Sequence, residues 1–382
     1  MAQPSVLILG GGIGGVSAAN ALRKLLPRGH RIVLVDREAS FTLAASFLWV
    51  MNGARTPAQV SRPLDRLQRK GIEVVHGEVE RIDPRLREVV VSGETLRAEH
   101  LVVALGAEFA LDAIPGLAGA GHTFCTLGGA IGLRDALRQF RGGRIVLLTA
   151  APAYKCPAAP YEAAMLIDAD LRSRGVRGAV ELSLYSAEPG PMGVAGPDVS
   201  AAVRGVVEEK GVVYRPNHQV ARIEGREAIF TNGVRADFDL LAYVPPLRPP
   251  KALAGSGLVD GSGWVRVDRQ TLETSFPGVH AIGDVTLIPL AMGKPLPRAG
   301  VFAHGQAEVV ARNIARSMLG RGSPARYDGH GACFIETGDG KAGYGSGNFY
   351  AEPLPSVQVR KPGRTWHAGK VLLEKQILFQ WL

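Results

Sequence analysis

The sequence predicts an α/β chain made of two Rossmann-like dinucleotide-binding units and a small C-terminal region. Three observations carry this. A glycine fingerprint lies near the N-terminus between two short apolar strands. A second strand–turn–helix, RIVLLTAAPAYKCPAAPYEAA from Arg144, has no glycine in its turn. Further apolar strands separated by glycine-rich turns fill much of the remaining chain, whose 382 residues include 48 glycines and are 46% apolar. That length suffices for two or three domains with substantial cores.

The first unit opens with the strand Ser5–Leu9, then Gly10-Gly11-Gly12-Ile13-Gly14-Gly15, the helical stretch VSAANALRKLL, and a strand from Arg31 to Val35 that ends in Asp36. Alone the glycine pattern is weak, but here it has strand, helix, strand and an acid 21 residues after Gly15. Gly10 permits the tight turn, Gly12 lets the backbone approach a phosphate, Gly15 lets helix and strand pack closely, and Asp36 accepts from ribose hydroxyls. Gly14 belongs to the same cradle. Phe41–Arg62 reads as a loop and short helix with Phe47, Leu48 and Trp49 exposed. Residues 72–103 read as strands ending in Ala104-Leu105-Gly106-Ala107, a turn able to return the chain to a cofactor, or an ordinary strand end. This first part of an FAD-binding domain spans 1–110.

The second Rossmann-like domain, 111–248, carries Cys125 before a helix that starts near Leu127. Its βαβ turn holds Pro152, Pro157, Pro160, Lys155 and Cys156 where a pyrophosphate-binding turn needs glycines, so a bound NAD(P) is not expected. The strand Val180–Ser186 and helix Ser200–Lys210 continue the unit. Residues 249–320 return to the FAD-binding domain through strands at Trp264–Val267 and Val279–Ala281. Ile282-Gly283-Asp284 and the helix Leu296–Met318, with Arg298 and Ala299 in its first turn, are suited to hold FAD, although Asp284 also reads as a turn or cap residue. Residues 321–382 carry Cys333 and a tail in which Val371, Leu372, Ile377, Leu378, Phe379, Trp381 and Leu382 lie on a basic, amphipathic helix. It is either a packed C-terminal helix or an interfacial anchor.

Composition narrows the function. The net charge of +9 comes from scattered lysines and arginines without interleaved aromatics, which argues against nucleic acid and suits either a soluble basic surface or an anionic membrane. No run of about 18 apolar residues is present, and no basic leader precedes the first strand. Cys125, Cys156 and Cys333 stand 31 and 177 residues apart, which fits no metal-site spacing. Three cysteines without export favour redox or nucleophilic use, with Cys125 also readable as a small buried apolar residue.

Gly10–Gly15 with Asp36, the Leu105-Gly106 turn and Ile282-Gly283-Asp284 resemble the FAD-dependent pyridine nucleotide-disulfide oxidoreductase superfamily, so both Rossmann-like domains are expected to be of the disulfide-reductase type. Cys125 in FCTLGGA, Cys156 in KCPAAPYEAA and Cys333 in GACFIETG resemble the redox cysteines of sulfide:quinone oxidoreductases. The related flavocytochrome sulfide dehydrogenase has a flavin-linking cysteine after its second strand; Phe41-Thr42-Leu43-Ala44-Ala45 has none. Type II NADH dehydrogenases need the second glycine motif that this chain lacks.

The resemblance implies a flavoenzyme that oxidises sulfide to sulfane sulfur or polysulfide through a Cys156/Cys333 disulfide pair and reduces a quinone. Cys333 would pass electrons to the flavin, Cys156 would carry the persulfide, and Cys125 would assist sulfur-chain release or link to the flavin. Lys155 would make the pocket electropositive, or be a surface lysine. Glu162 would manage protons, or simply partner the helix dipole; His304 reads as packing. Phe334, Tyr344, Phe349, Tyr350 and Trp366 are candidates for a quinone wall, though aromatics also serve as core. The enzyme would sit peripherally on the cytoplasmic membrane, with a homo-oligomer left open. A cytochrome as acceptor, or an FAD-binding redox protein with non-catalytic cysteines, are the alternatives.

Overall fold

The computed structural model of the protein describes residues 5–382. Strand β1 (Val6–Leu9) is buried on both faces, as a central parallel strand must be. Helix α1 (Ile13–Leu25) follows at once, and a Cβ on Gly15 would lie 1.8 Å from the Gly10 carbonyl oxygen, so only glycine lets helix and strand come this close. Strand β2 (Ile32–Asp36) pairs parallel to β1. Helix α2 (Phe47–Met51) corrects one expectation: Phe47, Leu48 and Trp49 are buried, because the helix packs on α3 (Leu127–Gln139) and on the helix after the glycine-free turn. Strands β3 (Glu73–His76) and β4 (His100–Val103) complete this part of the first sheet.

The second sheet is again fully parallel. It is built from β5 (His122–Thr123), β6 (Gly143–Thr149), β7 (Val180–Ser186), β8 (Val213–Arg215) and β9 (Leu240–Val244), in the order β5-β9-β6-β7-β8. Thr126 caps α3, its hydroxyl accepting from the Gly129 amide at 3.1 Å. Helix α4 (Ala159–Ser173) follows β6, with Pro160 in its first turn, and is buried along most of its length. Helix α5 (Pro197–Glu209) starts three residues before the expected Ser200, because Pro197 supplies a good first position.

The chain then returns to the first sheet with β10 (Val279–Ala281), giving the order β10-β4-β1-β2-β3. The expected strand Trp264–Val267 is reduced to isolated bridges at Val265. Helix α6 (Gly300–Leu319) begins four residues later than expected: Leu296-Pro297-Arg298-Ala299 stays extended, with Arg298 Nε donating to the Asp284 carbonyl at 3.0 Å. The C-terminal region is an antiparallel sheet of β11 (His330–Gly338), β12 (Lys341–Asn348) and β13 (Ser356–Gly363), covered by α7 (Arg364–Gln380). No helix among the described residues is long and apolar enough to cross a membrane.

Helix α7 divides its residues in a way the sequence pattern does not announce. Ile377, Leu378 and Leu382 are buried, whereas Leu372 and Phe379 are 67% and 62% exposed. The inward face also carries charge: His367, Lys370 and Glu374, spaced three and four residues apart, share one side of the helix. Glu374 is buried and paired, accepting from Ser46 Oγ at 2.7 Å and Arg55 Nε at 2.9 Å.

Candidate functional site

Two helix starts converge on the glycine cradle. Helix α1 is capped only by Gly12 and α6 only by Ala299, neither with a side-chain cap. They abut: a Cβ on Gly300 would lie 2.4 Å from Ile13 Cδ1. Both leave amide donors and the positive end of a helix dipole free for an anion or carbonyl. Gly10 has φ +104°, and a Cβ there would lie 2.4 Å from the Ala104 carbonyl oxygen. Gly12 faces open space, with nothing within 4 Å of where its Cβ would be. Asp36 is held from both sides, by the Gly11 amide on Oδ2 and the Glu38 amide at 2.7 Å on Oδ1. Gly106 and Gly283 adopt φ +68° and +74°, and Gly14 packs on Ile282. The Gly283 amide donates to buried Gln306 at 2.7 Å, a partner that sequence reading missed. His304 packs as expected, stacked on Trp381 with Nδ1 3.0 Å from Ser17 Oγ.

A close-approach backbone turn, an acid at the end of the second strand and two uncapped helix starts fit FAD. Gly10, Gly12, Gly14 and Gly15 would hold the pyrophosphate and Asp36 the ribose. Gly106, Gly283, Asp284, Arg298 and Ala299 would lie toward the flavin end.

The glycine-free turn is clamped to this cradle by backbone. Cys156 N donates to the Arg298 carbonyl at 2.7 Å, and Lys155 and Arg298 form an isolated parallel bridge. Cys156 itself has φ +53°, in the left-handed region that costs a non-glycine residue about 1–3 kcal/mol and persists only where its surroundings enforce it. Tyr154 and Tyr161 are buried in the core of this domain, Tyr154 donating to Glu188 at 2.7 Å.

Cys156 and Cys333 line one largely apolar cavity of about 520 Å³, along with Arg298, Ala299, Phe302 and Phe349. All three cysteines are free thiols, so the expected Cys156–Cys333 disulfide is not formed in this structure. Cys125 does not line the cavity; its amide donates to Thr123 Oγ1 at 3.1 Å. Burial pushes the Cys333 and Cys125 thiols up to about 11 and Cys156 well above its ordinary value. On Cys156, neighbouring Cys333 and Glu162 add to that rise.

The opposing charge is not the expected one. Lys155 Nζ turns to Asp284 at 3.5 Å and lies over the Phe109 ring, and the thiol it favours ionising is Cys125. The cation that pulls down both Cys156 and Cys333 is Lys370, 11% exposed on the inner face of α7. Lys370 Nζ donates to Glu162 at 2.6 Å, and Glu162 also accepts from the Glu336 amide at 2.8 Å. Burial alone would lower the Lys370 pKa, but Glu162, Glu336 and Cys333 outweigh it and the net direction is up. Lys370 lies 208 residues from Glu162, so no local motif could have paired them.

Strand alternation sorts the aromatics. Cys333 and Ile335 face the cavity, while Phe334 turns to the other side of β11 and packs on Gly369 of α7. There Tyr344 stacks on Trp366 with centroids 4.7 Å apart, and Phe334 packs against Tyr344 at 5.2 Å, tilted by 52°. Phe349 stays at the cavity, edge-on to Phe302 at 4.9 Å. Tyr350 lies apart, packed on Tyr327 with its hydroxyl donating to the Arg269 carbonyl.

Residues 4–307 match the family model described as pyridine nucleotide-disulphide oxidoreductase. The chain is 27% identical to "Sulfide-quinone reductase" of Aquifex aeolicus, over 98% of this chain and 90% of the relative. It is 24% identical to "Sulfide:quinone oxidoreductase, mitochondrial" of Mus musculus, over 91% of this chain and 79% of the relative. The crystal structure of the Aquifex aeolicus sulfide:quinone oxidoreductase superposes with a TM-score of 0.91 at 25% identity, covering 100% of this chain and 91% of that one.

Proposed function

The chain belongs to the pyridine nucleotide-disulphide oxidoreductase family and is an FAD-dependent oxidoreductase; from that premise we propose that it oxidises sulfide to sulfane sulfur at Cys156 and Cys333 and delivers the electrons to a quinone. The carrying observation is that both thiols line one apolar cavity, with Cys156 clamped to the flavin cradle and the Lys370–Glu162 pair acting on both thiols. The relatives whose names specify sulfide and quinone cover almost the whole chain.

FAD, when bound, supplies the two-electron relay between thiol and quinone. The chain's own residues do the rest. With Cys156 and Cys333 oxidised to a disulfide, HS⁻ attacks one sulfur; a new S–S bond forms as the old one breaks, leaving a persulfide on Cys156 and a thiolate on Cys333. On this reading Lys370 stabilises that thiolate and Glu162, bonded to Lys370 behind the cavity wall, takes the sulfide proton. The stacked Tyr344 and Trp366, with Phe334 tilted against them, would offer an aromatic wall for a quinone ring.

Titration of the purified holoprotein tests this. Sulfide is expected to bleach the flavin and a short-chain quinone to restore its colour, while NADH leaves it oxidised because the turn after β6 has no glycine to let a pyrophosphate approach the backbone. A flavin that sulfide leaves oxidised refutes the proposal; bleaching without reoxidation by quinone moves the acceptor to a protein such as a cytochrome.

The exposed Leu372 and Phe379, with Lys375 between them, make α7 an interfacial helix on this reading. Deleting α7 would remove Lys370 and Glu374 as well, so the informative variant is Leu372→Glu/Phe379→Glu. It is expected to lose flotation with anionic liposomes, by about tenfold or more, while soluble-quinone turnover persists. Undiminished flotation would place the membrane contact elsewhere.

A further inference from the structure

One corner of the first domain gathers cations and gives them no acid. Helix α1 ends in Arg23, Lys24 and the 40% exposed Leu25, and Arg28 follows in the exposed turn beyond. The short 3-10 helix Leu64–Lys70 ends in Lys70, with Gly71 next. These two ends meet. Arg23 donates to the carbonyls of His30 and Gly71 at 3.0 and 3.4 Å, and a Cβ on Gly71 would lie 3.6 Å from Arg28 Nη1. Lys70 Nζ donates to the Asn20 side chain at 2.7 Å, one helical turn before Lys24 on the same face of α1. Burial, and then the charge of Arg28, lower the Arg23 pKa; burial, and then Lys24, lower that of Lys70. Arg23 and Lys70 donate to neutral oxygens, and among the described residues none of the four cations is paired with a carboxylate. The acids next to them in sequence are turned elsewhere, Asp65 to His76 at 3.0 Å and Glu73 to Arg31 at 2.7 Å. The end of a helix dipole favours Arg23 and Lys24. It gives no reason to bring Arg28 and Lys70 against them, which costs repulsion unless an anion covers the group.

This corner is continuous with α7. Lys70 Nζ also donates to the Gln380 carbonyl at 2.6 Å, and Asn20 Nδ2 to the Trp381 carbonyl at 2.9 Å. Beside Gln380 stands exposed Phe379, with the Arg62 guanidinium 4.6 Å over its ring, and exposed Leu372 lies two turns earlier on the same face. The bare apolar stripe of α7 and the uncompensated cations therefore border one another. Apolar side chains flanked by cations complement a surface that is anionic outside and apolar beneath, which is an anionic phospholipid bilayer. We propose, resting on the interfacial reading of α7, that Lys24, Arg28 and Lys70 form the electrostatic half of the membrane contact. They select anionic phospholipid, and through them the first domain itself, not the tail alone, meets the bilayer.

The test is binding of the full-length holoprotein to vesicles, which needs neither sulfide nor quinone and so stands apart from the proposed reaction. Flotation at low salt compares phosphatidylcholine vesicles with vesicles containing about one-third phosphatidylglycerol. The wild type is expected to prefer the anionic vesicles by about tenfold or more, and to lose the preference near about 1 M salt, where exposed charges are screened. Lys24→Gln/Arg28→Gln changes two exposed residues. It should lose most of the preference while binding phosphatidylcholine as the wild type does. Leu372→Glu/Phe379→Glu should lose binding to both vesicles. An undiminished preference in the Lys24/Arg28 variant overturns the proposal and leaves α7 as the contact; if that variant has also lost self-association, the corner belongs to a second copy of the chain. Equal loss on both vesicles overturns it as well, because it makes the two residues structural. Lost preference in the Lys24/Arg28 variant, with the Leu372/Phe379 variant binding normally, keeps the cation corner and removes the interfacial reading of α7.

Discussion

Cys333→Ser is expected to abolish bleaching of the flavin by sulfide, slowing it by about a thousandfold or more. Serine has nearly the same shape, and Cys333 borders a cavity rather than filling the core, so the fold should be kept. What is lost is sulfur chemistry: a hydroxyl forms no S–S bond, so no disulfide with Cys156 exists for sulfide to attack, and an alkoxide is a far poorer leaving group than a thiolate. Cys156→Ser should fail equally, because the disulfide needs both sulfurs. Cys125→Ser is the contrast, since Cys125 stands off the cavity and should retain the bleaching step. Stopped-flow absorbance of the flavin measures all three. Rapid bleaching in Cys333→Ser would sink the disulfide route and leave direct attack of sulfide on the cofactor.

Lys370→Met should damage stability and chemistry separately, and the two are separable. Removing the cation strands Glu162, 4% exposed, without its partner. Breaking a buried pair in this way costs about 3–5 kcal/mol, read as a lower midpoint in chemical denaturation. Adding Glu162→Gln removes the stranded charge and should restore most of that loss. The chemistry should not return, because both thiols lose the cation that draws them toward ionisation; sulfide bleaching at neutral pH is expected to stay about tenfold or more below the wild type. The pair also sets a pH limit. Lys370 has a raised pKa in the folded protein, so its contribution to stability is complete at neutral pH and is lost only as pH climbs above the ordinary lysine value. A double variant that regains both stability and full rate would remove Lys370 from the mechanism.

These two cases also mark what could be read in the sequence. Gly10–Gly15 with Asp36 and the glycine-free turn at Cys156 are local patterns, each decided within a few dozen residues, and the structure places them where the pattern puts them. Lys155 beside Cys156 is a local reading of the same kind, but adjacency in sequence does not set where a side chain ends: its ammonium goes to Asp284. The cation that faces the thiols arrives from the last helix and depends on how α7 docks. Trp49 and its neighbours looked exposed for a related reason, since their cover comes from α3, α4 and the inward face of α7. The tail read as amphipathic, but apolar periodicity could not reveal that one buried side is polar, because a buried ion pair has no hydropathic signature.

The hydrogen bond from Cys156 N to the Arg298 carbonyl has a consequence for how this site tolerates change. It fixes the separation of the two halves of the reaction through main chain alone. Altering the side chains at 155 or 298 changes the charge around the clamp but not its span. Gaining or losing one residue between Tyr154 and Pro157 would move the sulfur by up to about 3.8 Å, more than the reach over which a thiolate can react. Drift among relatives should therefore be free in composition along this turn and rigid in its length.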